Sequence, residues 1–128
     1  MDLGIAGRKA LVCGASAGLG LACARALVQE GVEVVIVART ESNLLKAQSD
    51  LQALSSAPVH AVAADVTQAE GRAAIFAAHA DFDIVVTNAA GPAPGDFRQW
   101  DEAIWQRALQ ANMLAPIEII KATVDGMM

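Results

Sequence analysis

At 128 residues and 13.2 kDa the chain falls short of the ~150 residues of an average domain, which leaves room for one compact unit and excludes a second. Hydrophobic residues make up 55%, but 28 residues are alanine, so a mean hydropathy of +0.40 overstates the large apolar surface available for burial. A net charge of −5 and a pI near 4.8 argue against a footprint on nucleic acid or on an anionic membrane, and any anionic ligand must be met by local groups.

Residues 9–13 and 32–38 are short, β-branched runs bounded by glycine, and Leu19, Cys23, Ala26, Leu27 and Glu30 between them follow helical spacing. Residues 41–54 read as a helix with Leu44, Leu45, Gln48, Leu51 and Leu54 on one face, and residues 59–64 as a strand after the breaker Pro58. A helix over 67–79 and a fourth strand over 83–87 follow. Next come the Pro/Gly-rich loop Gly91-Pro92-Ala93-Pro94-Gly95 and one long helix from about Asp101 to the last residue. Strands alternating with helices imply a parallel sheet with right-handed crossovers and helices on both faces. Apolar runs such as Val34-Val35-Ile36-Val37 fit strands buried on both sides.

No apolar run approaches the ~18 residues of a membrane span, and Met1-Asp2-Leu3-Gly4 opens neither a basic region nor a signal-length apolar stretch. A soluble, cytoplasmic protein with no membrane and no nucleic-acid partner is expected. Cys13 and Cys23 are too few for a disulfide framework, and with His60 and His79 they show no ligand spacing; no metal site is expected, and both thiols read as small core residues.

Directly after the first strand stands Gly14-Ala15-Ser16-Ala17-Gly18-Leu19-Gly20, at the opening of the first helix. The physics suits a dinucleotide pyrophosphate. Gly14 turns the chain, Gly18 lets backbone approach phosphate, Gly20 lets helix and strand pack closely, and the helix end supplies free N–H groups. The spacing G-x-x-x-G-x-G resembles the short-chain dehydrogenase/reductase family, with Cys13 where the family carries Thr, and the resemblance runs from the opening Leu3-Gly4-Ile5-Ala6-Gly7-Arg8-Lys9 to the last residue.

The resemblance implies an α/β fold, a Rossmann-type doubly wound parallel sheet with its first four strands in the order 3-2-1-4. The whole chain, 1–128, would be the N-terminal portion of an NAD(P)-binding domain. It places Ser16, Ala17 and Leu19 with the three glycines at the cofactor. After the second strand the family carries an acidic residue for NAD, whereas Ala38-Arg39 stands here; Arg39 fits the 2′-phosphate of NADP, the alternative being a solvated loop arginine. Asp65-Val66 resembles the pair that contacts adenine. It competes with a local reading in which Thr67-Gln68-Ala69-Glu70 is a capping box and Asp65 sits near the positive helix end. Thr87-Asn88-Ala89-Ala90 aligns with the family's Asn-Asn-Ala-Gly, so that Asn88, Ala89 and Ala90 present backbone beside the cofactor. A Cβ at Ala90 resists positive φ, so either its angles are ordinary or the tight contact passes to Gly91.

Asn112 matches the family's catalytic Asn of an Asn-Ser-Tyr-Lys set, where it supports a water-linked proton relay. Pro116, four residues on, removes the N–H partner of the Asn112 carbonyl and should kink the helix; the alternative is a helix that restarts at Pro116 with Asn112 capping the break. The family's Tyr-x-x-x-Lys has no counterpart, because the chain contains no tyrosine. The expectation is therefore the cofactor-binding half of an NADP(H)-dependent oxidoreductase, 3-oxoacyl-carrier-protein reductase-like in layout. It would act on a carbonyl or alcohol substrate and be inactive by itself. Ile104, Leu109, Leu114, Ile117, Ile120 and Val124 in the last helix lack a partner and imply a homo-oligomer, dimer or tetramer, or the packing of a further C-terminal half. Two alternatives stand beside it: a non-catalytic dinucleotide-binding sensor or regulatory module, and a strand-first adenosyl-methyltransferase fold.

Overall fold

A computed structural model describes residues 1–91 and 93–128; Pro92, part of the Pro/Gly-rich loop read from sequence, lies outside the described residues. Four strands alternate with helices: β1 (Lys9–Cys13), α1 (Gly18–Gln29), β2 (Glu33–Ala38), α2 (Glu41–Gln52), β3 (Val59–Ala63), α3 (Ala69–Ala78) and β4 (Ile84–Val86). A short 3-10 turn, Phe97–Gln99, precedes α4 (Glu102–Leu109), a π turn (Gln110–Leu114) and α5 (Ala115–Met127). All pairings are parallel and the order is β3-β2-β1-β4, with Leu11 opposite both Val35 and Val85. This is the Rossmann arrangement expected from the resemblance.

Strand alternation splits the core in two. Ala10, Val12, Val34 and Ile36 pack under Ala24 and Val28 of α1 and Leu44, Ala47 and Leu51 of α2. Leu11, Cys13, Val35 and Val37 point the other way, against Ile75 of α3, Phe82 and Ile119 of α5. Both ends of the β1–β4 pair are pinned. At the start, the Lys9 N–H donates to the Asp83 carboxylate at 2.9 Å and the Asp83 N–H to the Lys9 carbonyl at 2.8 Å. At the finish, the Asn88 side-chain amide donates to the Gly14 carbonyl at 3.3 Å.

Several local expectations are corrected. The inward face of α1 is Gly20, Ala24 and Val28, one residue out of phase with the expected set, so Cys23 is exposed and only Cys13 is a core thiol. Small side chains let the helix lie against the sheet, and the larger Leu19 is turned out. In α2, Leu45 is likewise exposed and Ala47 takes the inward place, while Leu54 lies past the end of the helix and is exposed. The capping box does not form: Gln68 is the residue before α3 with no side-chain cap, and the Thr67 hydroxyl donates instead to Asp65 at 2.6 Å. The single last helix is two helices joined by the π turn. Neither Ala90 nor Gly91 has positive φ.

At the N-terminal edge of the sheet the rings of His60 and His79 lie 4.8 Å apart, with Glu33 Oε2 3.6 Å from His60 Nε2. Burial, with the charges of His60 and Lys9, holds His79 below its ordinary value of 6.5, against the opposing pull of Glu33. A histidine whose folded-state pKa is depressed leaves the unfolded chain binding more protons. Stability is therefore full above about pH 6.5 and falls as pH drops through that value toward the folded one. Denaturant titrations at pH 7.5 and 5.5 should show a lower midpoint at 5.5, and His79→Gln should flatten that difference; an unchanged difference would assign the acid sensitivity elsewhere.

Candidate functional site

The C-terminal ends of all four strands open onto one cleft of about 440 Å³, within the usual range for small-molecule sites. Its lining joins the glycine turn (Gly14, Ser16, Ala17, Gly18), the end of β2 (Val37, Ala38, Arg39, Thr40), the loop after β3 (Ala64, Asp65, Val66, Thr67), the end of β4 (Asn88, Ala89, Ala90) and Ala111 of the π turn. This is where an open parallel sheet receives ligands, at the point where the chain leaves β1 for one side and β4 for the other.

The turn itself is held by its backbone. Gly14 and Gly18 have φ of +60° and +59°, which side chains resist, and the Ala15 N–H donates to the Val37 carbonyl at 3.1 Å. A Cβ on Gly20 would strike the Gly14 carbonyl, so α1 crosses β1 at backbone contact distance. A Cβ on Gly18 would meet nothing within 4 Å: the space above this residue is open.

The start of α1 departs from ordinary helix design. Its N-cap is Ala17 with no side-chain cap, and its first turn carries no acidic residue. By contrast α2 and α3 carry Glu41 and Glu70 there, and Asp101 caps α4 by accepting from the Ile104 N–H at 2.9 Å. The free N–H groups and positive dipole end of α1 thus face the cleft uncompensated, the arrangement that receives phosphate.

On the far rim, the Asp65 carboxylate accepts from the Thr67 hydroxyl at 2.6 Å and the Thr67 N–H at 3.0 Å. The hydroxyl bond first, then the backbone bond and the charge of Arg39, hold its pKa below the usual carboxylate value against partial burial. Asp65 is therefore a fixed anion near a cation that makes no salt bridge among the described residues. Beneath the cleft, burial pushes the Cys13 thiol up to about 11 despite a hydrogen bond from the Asn88 N–H, so a neutral thiol stands where the family has a hydroxyl.

Of the residues singled out from sequence, Gly14, Ser16, Ala17, Gly18, Arg39, Asp65, Val66, Asn88, Ala89 and Ala90 converge on the cleft. Leu19 is turned to solvent at 80% exposure, and Gly20 lies behind the turn as packing. Asn112 is exposed beside the cleft rather than in its lining, and its side-chain amide donates to the Ala108 carbonyl at 3.1 Å. Thr67 and Ala111 were missed: Thr67 was absorbed into a capping pattern, and Ala111 carries no chemical signal. Among the described residues no group of three or more His, Cys, Asp or Glu could hold a metal, and no helix is long and apolar enough to cross a membrane.

The sequence profile of the short chain dehydrogenase family matches residues 8–128, and the chain belongs to that family. The methyltransferase alternative is thereby set aside. The chain is 35% identical over 128 residues to the rat (Rattus norvegicus) dehydrogenase/reductase SDR family member 4, covering 96% of this chain and 46% of that one. It is 33% identical over 129 residues to L-xylulose reductase of Mesocricetus auratus, covering 99% and 50%. Among solved structures, L-sorbose reductase from Gluconobacter frateurii, complexed with NADPH and L-sorbose, superposes with a TM-score of 0.92 at 31% identity, over 99% of this chain and 50% of that one. The chain spans about half the length of these relatives.

The glycine turn generates a direct test. Gly20→Ala forces a Cβ against backbone and should destabilise the fold by about 1–3 kcal/mol or more, the cost of overpacking a site that cannot relax. Gly91→Ala, where a Cβ meets nothing within 4 Å, should stay within about 0.5 kcal/mol of the parent. Urea denaturation of the two variants checks the pair.

Proposed function

We propose that this chain is the cofactor-binding half of an NADP(H)-dependent oxidoreductase that exchanges hydride between nicotinamide and a small carbonyl or alcohol substrate. The observation that carries this reading is a single cleft with an uncapped, acid-free helix start on one side and Ala38-Arg39 on the other. The first end suits a pyrophosphate. The second offers a guanidinium, and the strand-end position where a carboxylate would repel a 2′-phosphate is Ala38. The NADPH found in the related L-sorbose reductase supports the same choice.

Under this reading the N–H groups at the start of α1, with Gly14, Ser16, Ala17 and Gly18, hold the pyrophosphate. Arg39 takes the 2′-phosphate. Asp65 and Val66 meet the adenine, and the backbone of Asn88, Ala89 and Ala90 flanks the nicotinamide. When bound, the cofactor supplies the hydride carrier; the chain's own groups bind and orient it. Asn112 is the one candidate for proton handling. The ordinary helical partner of its main-chain carbonyl would be residue 116, which is proline and has no N–H to give, and this suits an acceptor for water. These 128 residues contain no tyrosine, so the phenol that would protonate a substrate oxygen is not among them, and the chain by itself should not turn over substrate. The exposed apolar row Leu109, Met113, Leu114, Ile117 and Ile120 suits burial against a second copy or the rest of a longer chain.

Titrating NADPH and NADH against parent and Arg39→Ala tests the cofactor assignment. Loss of a charge-assisted phosphate contact should weaken NADPH by about 1.5–3 kcal/mol and leave NADH nearly unchanged. Equal losses for both would overturn the choice of NADP.

A further inference from the structure

We propose that Gln110 is a positioning residue that couples the two ends of the cofactor cleft. Its side-chain amide donates to the Thr67 carbonyl at 3.1 Å, tying the π turn that carries Ala111 and Asn112 to the loop after β3. The inference rests on the dinucleotide reading of the cleft.

Three observations support it. First, neither α4 nor the π turn has a buried residue, whereas α5 is anchored through Ala115, Ile119 and Thr123. The stretch that carries Ala111 and Asn112 thus lies between a helix with no fully buried residue and an anchored one. Second, among the described residues, side-chain hydrogen bonds join distant segments at three places. Lys9–Asp83 and Asn88–Gly14 hold β1 to β4, and Gln110–Thr67 is the one that reaches the last helical stretch. Gln110 also closes the π turn, because its own carbonyl accepts from the Ala115 N–H, five residues on. The same residue therefore takes part in the widened turn through its main chain and in the tie to the loop after β3 through its side chain.

Third, the two partners of the tether are unequally fixed. The loop after β3 has anchors of its own: Thr67 on the Asp65 carboxylate, the Gln68 N–H on the Asp65 carbonyl at 3.1 Å, and Arg72 on the Val66 carbonyl at 2.8 Å. Close packing adds to them, since a Cβ on Gly71 of α3 would strike the Asp65 carbonyl. Cutting the tether leaves that loop in place and releases the π turn. Ala111 shares the cleft with Asn88, Ala89 and Ala90, so the nicotinamide half loses a wall while the adenosine half keeps Arg39, Asp65 and Thr67.

Binding of NADPH and of adenosine 2′,5′-bisphosphate, which carries the adenosine half alone, is measured on the parent, Gln110→Met and Gln110→Lys. Met keeps the length and removes the donor, and Lys restores a donor. The ratio of the two affinities cancels charge effects common to both ligands. In Gln110→Met, NADPH should weaken about five- to ten-fold, as for one hydrogen bond, with the bisphosphate within about two-fold of the parent; Gln110→Lys should restore the parent ratio. In the ligand-free protein, amide exchange at Leu114 and Ala115 should be faster in Gln110→Met than in the parent, with that at Thr67 and Gln68 unchanged. A ratio unchanged in Gln110→Met, or equal losses for both ligands, overturns the coupling while leaving the cofactor assignment intact. Failure of the parent to bind either ligand overturns the cofactor assignment and the coupling with it.

Discussion

The backbone contact between α1 and β1 sets the geometry on which the rest depends. Gly20 faces the Gly14 carbonyl with no room for a Cβ, and this brings the start of α1 over the end of β1. From there Asn88 reaches back to the same Gly14 carbonyl, locking β4 to the turn, and Ala15 ties the turn to β2. The contact is made of main chain. It costs little side-chain entropy to hold, and it leaves the N–H groups of the helix start pointing at open space rather than at a capping side chain. Packing on both faces of the sheet then makes this arrangement rigid, with Leu11, Val12, Val35 and Ile36 fully buried at its centre.

Rigidity and exposure divide along the chain. The first two crossovers are buried against the sheet, while α4, the π turn and one side of α5 present Trp105, Leu109, Met113, Ile117 and Ile120 to solvent. The cleft lies where these regions meet. Around Asp65 the cleft is fixed by short local bonds, whereas at Ala111 it is bounded by a π turn with no buried residue, tied to the loop after β3 through the Gln110 amide. Such an asymmetry suits a site that must hold one part of a ligand firmly and adjust around another.

The strands and their order were legible because their signals are dense: apolar runs set off by Gly14, Gly31 and Pro58, with helices of 10 to 12 residues between them. The glycine turn was legible because its residues are demanded by backbone geometry, which a sequence records directly. The phase of α1 was not, since periodicity weighs large side chains, and here the closest contacts belong to Gly20 and Ala24. Thr67 satisfied two local patterns at once, a capping box ahead of it and an aspartate turn behind it. The choice between them rests on how the chain leaves β3. Pro116 announced a break four residues after Asn112, but whether the helix kinks, restarts or widens into a π turn depends on neighbours that sequence spacing does not carry. Gln110 had no local signal at all, because its partner lies 43 residues away.

The central claim is that a dinucleotide lies across the C-terminal ends of the four strands. Amide chemical-shift mapping of the isotope-labelled chain with NADPH tests it most directly. The account predicts that the largest changes fall on Ser16, Ala17, Gly18, Arg39, Asp65, Thr67, Asn88 and Ala89, with the opposite sheet edge around His60 and His79 unaffected. Changes centred on that opposite edge, or none at saturating NADPH, would contradict it.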